Sequence, residues 1–214
     1  DVERSRGLGD VYKRQAHYLT VGKVVLLVFV AFFLGSVPFG LLFARLFGKQ
    51  DPREVGSGNV GATNVARAAG KLAGALTLVL DTAKGYLPVI LAWGWLKSPD
   101  YVALVGLFAI LGHCYSPFLG FKGGKGVATG LGVYLALSPL AVLIAAVVFG
   151  LIIWRFRYVS LASLSAAWAM VPLIYLVQKS PLLTLFTAII ALLITWRHRV
   201  NIQRLLRGEE PKFF

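Results

Sequence analysis

The sequence is poor in cysteine and in acidic residues, and each shortage excludes a class of protein. A single cysteine, Cys114, leaves no internal disulfide, and it has no Cys or His partner at metal-ligand spacing. Nine acidic residues against 22 basic ones give a formal charge of +13, but a nucleic-acid-binding protein would carry its basic face on a water-soluble fold. With 57% hydrophobic residues, against roughly 45–50% in soluble domains, the chain is predicted to be an integral membrane protein.

The first twenty residues differ from the rest, because they are polar and lack the apolar core of a signal peptide. The chain starts with Asp1, and its only methionine is Met170. We therefore interpret residues 1–20 as a probable non-native leader, and residues 21–214 as a single membrane domain.

Long uncharged segments predict an all-α membrane fold. Val24–Ala44 carries no charge and is long enough to cross a hydrocarbon core of about 30 Å at about 1.5 Å per residue. Val127–Trp154 is too long for one crossing and short for two, and Ser138-Pro139 offers a break within it. Further candidate spans are Leu72–Leu96, Tyr101–Phe121, Tyr158–Val177 and Pro181–Trp196.

The distribution of basic residues decides how often Val127–Trp154 crosses, because cytoplasmic loops are rich in Lys and Arg. One crossing divides the basic residues eight against nine, whereas two crossings divide them fourteen against three. The sequence thus predicts seven transmembrane helices, with the N-terminus outside, the C-terminus cytoplasmic and Val127–Leu137 as a short or half-spanning helix. The fourteen are Arg45, Lys49, Arg53, Arg67, Lys71, Lys122, Lys125, Arg155, Arg157, Arg197, Arg199, Arg204, Arg207 and Lys212.

Three polar motifs then fall on the cytoplasmic face. The first is GSGNVGATNVAR, residues 56–67, whose glycines give backbone freedom and whose Arg67 supplies a forked cation suited to phosphate. Its neutral hydrogen-bonding side chains are Ser57, Asn59, Thr63 and Asn64. A solvated loop that ends in a helix cap is the alternative interpretation.

The second motif, GFKGGKGVATG at residues 120–130, is not a Walker P-loop, because Gly126 follows its lysine where Ser or Thr is required. Glycine N–H groups, two lysines and a helix N-terminus near Val127 could nevertheless hold an oxyanion. The candidate residues are Lys122, Gly123, Gly124, Lys125, Gly126 and Thr129. A flexible basic loop at the membrane edge remains the alternative.

The third motif is RHRVNIQRLLRGEE, residues 197–210, in which His198 and Asn201 are three residues apart on a predicted interfacial helix. Attraction to anionic lipid would explain its arginines but not these two residues. Within a span, Asp81 and Lys84 are most simply a mutually neutralising ion pair, and contact with substrate is the alternative.

The six carboxylates that follow the leader form no cluster with metal-ligand spacing, so we expect no metal and no cofactor. No His is placed before an Asp as in the HxxxxD acyltransferases, so the sequence contains no visible His–Asp base pair.

Together with GSVPFG in the first span, the three motifs closely resemble those of the bacterial PlsY family of acyl-phosphate:glycerol-3-phosphate acyltransferases. The resemblance covers the chain from about Val21 onward. It implies a seven-span enzyme of the bacterial inner membrane that faces the cytoplasm and transfers an acyl group from acyl phosphate to the 1-hydroxyl of glycerol 3-phosphate. It implies these substrates and membrane lipid as partners, and no nucleic acid or obligate protein partner is evident.

Residue by residue, the resemblance implies active-site roles for Ser57, Arg67, Lys125, His198 and Asn201, and a structural role for Glu209. We add Arg45 to the phosphate-binding candidates, because two phosphate-bearing substrates bring roughly four negative charges. The general base is either His198 or a substrate phosphate, and the missing His–Asp pair favours the phosphate. A secondary transporter of a phosphorylated metabolite is the alternative function, although no paired interrupted segments mark two halves of the chain.

Overall fold

In the computed structural model, residues 2–47 and 49–213 are described, with side chains from residue 15 onward. Residue 1 and the side chains of 2–14, part of the predicted leader, lie outside that description. The described residues form helices joined by turns and loops. The helices are α1 (Val2–Ser36), α2 (Phe39–Leu46), α3 (Ala62–Ala69), α4 (Lys71–Leu96), α5 (Pro99–Cys114), α6 (Val127–Leu137), α7 (Pro139–Phe156), α8 (Val159–Gln178), α9 (Pro181–Arg197) and α10 (Arg199–Arg207), with a 3₁₀ turn at Pro117–Leu119.

The protein is an all-helical, multi-pass membrane protein. Five segments of the described chain are long and apolar enough to cross a membrane: Gln15–Leu46, Lys71–Leu96, Pro99–Leu119, Pro139–Phe156 and Val159–Gln178. A sixth is reached if α9 and α10, which are bent by 60° relative to each other, count as one span, and α6 is a shorter apolar helix. The predicted break at Ser138-Pro139 is confirmed, since α6 ends at Leu137 and Pro139 begins α7.

Two predicted spans are less regular than the sequence indicated. The first predicted span, Val24–Ala44, lies within Gln15–Leu46, but it is not one continuous helix: α1 ends at Ser36 and α2 starts at Phe39, because Pro38 cannot donate the helical hydrogen bond. The third was expected to reach Phe121, but α5 ends at Cys114 and a short turn follows.

The buried ion pair predicted in α4 supports the break in the first span. The Nζ of Lys84 lies 2.7 Å from a carboxylate oxygen of Asp81, and both side chains are almost fully buried. The same ammonium donates a hydrogen bond of 2.8 Å to the carbonyl of Val37, which the break leaves without a helical partner. The pairing is confirmed, and it also stabilises the irregular backbone of the first span.

Glycines let α6 pack closely against α4. A Cβ on Gly85 would lie 2.1 Å from the carbonyl oxygen of Thr129, and one on Gly132 would lie 1.9 Å from that of Thr82. Since the later residue of α4 meets the earlier residue of α6, the two helices are antiparallel. This backbone contact fixes the short helix α6 in the bundle and buries Thr129 in the interface.

Contacts between helix ends define two levels of the bundle. At one level, Phe213 donates its N–H to the carbonyl of Arg157, and Arg197 donates to Gly123 and Gly124. These contacts bring together the start of α6, the end of α7 and the end of α9. At the other level, the amide of Gln178, at the end of α8, donates to the carbonyl of Leu137, at the end of α6.

Candidate functional site

A cavity of about 600 Å³ lies between α3, α4, α6, α7, α8, α9 and the C-terminal segment. Its polar end is at the level where α6 begins and α9 ends, and the rest of its wall is mostly apolar. The polar end contains Ser57, Asn59, Thr63, Asn64, Arg67, Lys125, Gly126, His198, Asn201 and Glu210. The apolar walls include Leu131, Tyr134, Val142, Ala145, Phe149, Ile153, Ala167, Met170, Ile190 and Ile194.

The first motif is organised by the side-chain amide of Asn64. Its nitrogen donates to the carbonyls of Pro52, Val55 and Asn59, and its oxygen accepts the N–H of Ser57 at 2.9 Å. Asn64 is buried, so its predicted contact with phosphate is replaced by a structural one, because its hydrogen-bonding capacity is used within the loop. The loop in turn holds the side chain of Ser57 against the cavity.

Helix α3 follows this loop and presents Thr63 and Arg67, one helical turn apart, to the cavity. The first N–H groups of a helix have no intrahelical acceptor, and Ala62, the first residue of α3, also lines the cavity. Arg67 is exposed and forms no ion pair with the described residues. A forked cation and a helix N-terminus therefore meet at the polar end.

The glycine motif reaches the cavity only at its C-terminal end. Gly126 has φ +84°, a left-handed conformation that suits glycine, and it caps α6, whose predicted start at Val127 is confirmed. Lys125, Gly126 and Val127 line the cavity, whereas Lys122 is exposed outside that lining.

Gly123 and Gly124 have a different role from the predicted one. Gly123 donates its N–H to the carbonyl of Cys114, and Gly124 donates to that of His113, so neither N–H is free for an oxyanion. A Cβ on Gly124 would lie 2.1 Å from the imidazole of His113. These glycines allow close packing against the end of α5 and support Lys125 from outside the cavity.

Two more predicted phosphate ligands lie away from the cavity lining. Thr129 is fully buried in the contact between α6 and α4, and Arg45 lies in the last turn of α2. Asp81 and His113, by contrast, contribute to the cavity wall. The sequence left both possible roles of Asp81 open, and the structure combines an ion pair with a position beside the cavity.

His198 and Asn201 face the cavity from the bend between α9 and α10. The Nδ1 of His198 lies 2.8 Å from the carbonyl oxygen of Ile194, an acceptor only, so Nδ1 carries the proton and Nε2 is left as an acceptor. Asn201 donates to Glu210 at 2.7 Å, and the other oxygen of that buried carboxylate has no hydrogen-bond partner in the described protein.

The acidic residue of the third motif at the site is therefore Glu210, since Glu209 is exposed. Gly208 has φ +70° and ends α10, and the chain after it turns back toward the cavity. Sequence reasoning also missed Arg197, the residue before His198. The sequence could have indicated it, because Arg197 directly precedes the candidate site residue His198. The arginines of this motif were instead assigned to contact with lipid.

Burial and neighbouring cations shift the pKa values of Lys125 and His198. Burial lowers the pKa of the Lys125 ammonium to about 8; the Glu210 carboxylate opposes this, and Arg204, Arg197 and Arg67 add to it. Burial, with the charge of Lys125, lowers the pKa of His198 to about 4, although its bond to Ile194 acts in the opposite direction. At neutral pH the imidazole is uncharged and Lys125 is only partly deprotonated.

Among the residues described, no three His, Cys, Asp or Glu side chains are grouped so that they could hold a metal ion. The cations themselves are the groups suited to an anionic ligand. Since they border an apolar cavity inside a helical membrane fold, the site suits an amphiphile with an anionic head. Fold and site together define an integral membrane enzyme or carrier for such molecules.

The comparisons with known proteins identify the family. Residues 25–208 match the glycerol-3-phosphate acyltransferase family, and the chain belongs to it. A glycerol-3-phosphate acyltransferase of Syntrophotalea carbinolica is 48% identical over 192 residues, which are 88% of this chain and 96% of that protein. One of Aquifex aeolicus is 48% identical over 193 residues, 89% of this chain and 100% of that protein.

Two crystal structures of PlsY, an integral membrane glycerol 3-phosphate acyltransferase, are similar throughout. The glycerol 3-phosphate form superposes with a TM-score of 0.86 at 44% identity and covers 90% of this chain and 96% of that one. The lysophosphatidic acid form gives a TM-score of 0.80 at 41% identity and covers 89% and 95%. The resemblance seen in the three motifs is thereby confirmed.

Proposed function

We propose that the protein is a glycerol-3-phosphate acyltransferase that uses acyl phosphate as its donor. The glycerol 1-oxygen forms an ester bond to the acyl carbonyl carbon, and the bond from that carbon to the phosphate oxygen breaks. The products are 1-acyl-glycerol 3-phosphate and inorganic phosphate, and the hydroxyl proton leaves with a base. The observation that carries the proposal is that one cavity has both a cationic end and apolar walls, because both substrates bear phosphate and one bears an acyl chain.

The cations of the polar end suit the phosphates. Two phosphate-bearing substrates bring roughly four negative charges, given second pKa values near 6. Arg67 binds one phosphate through its fork, and Lys125 neutralises the charge that develops on the departing one. The N-terminal N–H groups of α3 and α6, which both begin at the cavity, assist them.

The neutral side chains orient the attacking hydroxyl. The Nε2 of His198 and the amide of Asn201 border the cavity, and Ser57 faces it from the first motif. An acyl phosphate is already activated, so positioning and charge neutralisation suffice without an acyl-enzyme. With its pKa lowered to about 4, His198 is a weak base, which supports proton transfer to a substrate phosphate.

The remaining candidates act indirectly. Asn64 shapes the first loop, and Asn59 accepts the N–H of Gly61 and so fixes the turn before α3. Gly123 and Gly124 hold the loop that carries Lys125. Lys122 and Arg45 add positive charge outside the cavity, where they attract anionic substrates.

Seven crossings, with the site on the cytoplasmic face of a bacterial inner membrane, fit this function. α6 begins at the level of Arg197 and ends at that of Gln178, while α7 returns to the level of Phe213. These contacts support two crossings by residues 127–154. The fourteen-to-three distribution of basic residues supports a cytoplasmic site, where glycerol 3-phosphate is available.

Product analysis with the purified protein in detergent tests the proposal. Acyl phosphate and glycerol 3-phosphate should give equal amounts of lysophosphatidic acid and inorganic phosphate, and the rate should survive a strong chelator. Lys125→Met is the control with a strongly reduced rate. Absence of the lipid product, with uptake of a phosphorylated metabolite into sealed vesicles instead, would favour the transporter.

A further inference from the structure

The side chain of Arg197 hydrogen-bonds to the glycine loop, residues 120–126, from outside the cavity. Its Nε donates to the carbonyl of Gly124 at 2.9 Å, and its Nη2 donates to that of Gly123 at 2.6 Å. The guanidinium carbon lies 5.4 Å from the centroid of the Tyr115 ring. Within the described residues it forms no ion pair, so its fork is used on two neutral carbonyls.

The same two glycines also hydrogen-bond to the end of α5. Their N–H groups donate to the carbonyls of Cys114 and His113, each at 3.1 Å. A Cβ on Gly123 would lie 2.0 Å from the carbonyl oxygen of His113, so only glycine allows this approach. Each glycine thus donates its N–H to the end of α5 and accepts a hydrogen bond at its carbonyl from the arginine at the end of α9.

The residues that directly follow Gly124 and Arg197 both belong to the site. Lys125 directly follows Gly124, and His198 directly follows Arg197. Each lines the cavity, whereas Arg197 does not. The guanidinium of Arg197 therefore sets the separation between the loop that carries Lys125 and the end of α9, which His198 follows.

We infer that Arg197 is a positioning residue of the acyl transfer, acting through Lys125 by fixing Gly123 and Gly124 to the end of α9. The inference rests on the proposed function of the site. Arginine suits this task better than lysine, because a planar fork makes two directed bonds and stacks on an aromatic ring, whereas an ammonium is a point charge.

Steady-state kinetics of Arg197→Met and Arg197→Lys, with both substrates varied, test the inference. A displacement of a catalytic group by about 1 Å costs on the order of 10²-fold in rate, which is the loss expected in kcat/KM for Arg197→Met. Arg197→Lys should recover part of it. The matched control is Arg199→Met, because Arg199 is exposed and its guanidinium lies against Trp196 rather than against the glycine loop, and it should keep parental kinetics.

A double variant separates positioning from a general loss of structure. If Arg197 acts through Lys125, adding Arg197→Met to Lys125→Met should slow the enzyme by no more than about twofold. Effects that multiply would show that the arginine contributes independently, and the inference would be wrong. Thermal unfolding in detergent identifies variants that fold, and if Arg197→Met does not, Arg197→Lys is used in both arms.

Two results distinguish this inference from the proposed function. If Arg197→Lys and Arg197→Met match the parent while Lys125→Met is strongly slowed, the acyltransferase assignment stands and the positioning role is excluded. If the parent protein produces no lysophosphatidic acid, the proposed function itself is excluded.

Discussion

The cations in α4 and those at the polar end of the cavity lie in different surroundings. In α4, the ammonium of Lys84 is 3% exposed and lies 2.7 Å from Asp81, with the carbonyl of Val37 as a second acceptor. At the polar end of the cavity, Lys125 is half-buried and Arg67 is exposed, and neither forms an ion pair within the described protein.

The paired cation in α4 has a structural role, whereas the unpaired cations at the cavity suit a functional one. A charge inside a membrane span is expensive unless it is paired, so the pair in α4 completes the fold. Cations that form no ion pair raise the free energy of the folded protein and are compensated when an anion binds. The two lysines should therefore respond in opposite ways to the same substitution.

The largest effect on stability is expected for Lys84→Met. Removing one member of a buried pair leaves the other charge uncompensated, which costs about 3–5 kcal/mol of unfolding free energy. Thermal or denaturant unfolding in detergent measures it. The double variant Asp81→Asn with Lys84→Met should lose less than the single one, and an equal or greater loss would mean that the pair is not the source of the effect.

Lys125→Met should do the reverse, with a large loss of activity and no loss of stability. If the ammonium meets charge that develops on the leaving phosphate, its removal costs about 2–4 kcal/mol of transition-state stabilisation, or about 30- to 900-fold in kcat/KM. The unfolding midpoint should stay equal or rise, because a partly buried charge has been removed. Parental kinetics would mean that the lysine neutralises no substrate charge.

The short helix α6 was predictable because the residues that start and end it are adjacent to it in the sequence. Gly126 precedes it and Ser138-Pro139 follows it, so both ends could be read from the sequence. The break after Ser36 could not be predicted in the same way, although Pro38 was visible in the sequence. The hydrogen bond that supports the break is donated to the Val37 carbonyl by Lys84, 47 residues further along the chain.

The site was predictable by residue type and less so by role. Arg67, Lys125, His198 and Asn201 all line the cavity as expected. The glycines were expected to donate to an oxyanion, but whether an N–H is free depends on what packs against it, and here α5 accepts both bonds. The choice of Glu210 over Glu209 depends on the turn at Gly208, which only the folded chain fixes.

His198→Ala should have a smaller effect than loss of Lys125. If the imidazole only orients the hydroxyl, its removal costs about one hydrogen bond, or about tenfold in kcat. The acid limb of the pH profile should remain near pH 6, where a substrate phosphate titrates, because burial lowers the pKa of His198 to about 4. Loss of that limb, with a fall of about 10²–10⁴-fold, would make His198 the general base.

The smallest expected effect is a shift in the alkaline limb of the rate profile. Burial lowers the pKa of Lys125 to about 8, and the Glu210 carboxylate opposes that shift. If activity needs the protonated amine, kcat/KM falls as pH rises through about 8. Glu210→Gln removes the negative charge, lowers the pKa of Lys125 further and moves this limb to lower pH. An unmoved limb, or one that moves to higher pH, would show that another group limits the rate.

Stability should change with pH in the opposite direction to activity. The unfolded chain keeps its lysine protonated up to its ordinary pKa of about 10.4, so between about pH 8 and that value it binds more protons than the folded protein. The contribution of Lys125 to unfolding free energy therefore rises over this window, while the rate falls. The difference between the parent and Lys125→Met, measured by unfolding at each pH, isolates that contribution, because every other titrating group is common to both. A difference that stays constant over this window would mean that Lys125 keeps an ordinary pKa. The contrast between Lys125 and Lys84, whose charge is neutralised by Asp81 within α4, would then be lost.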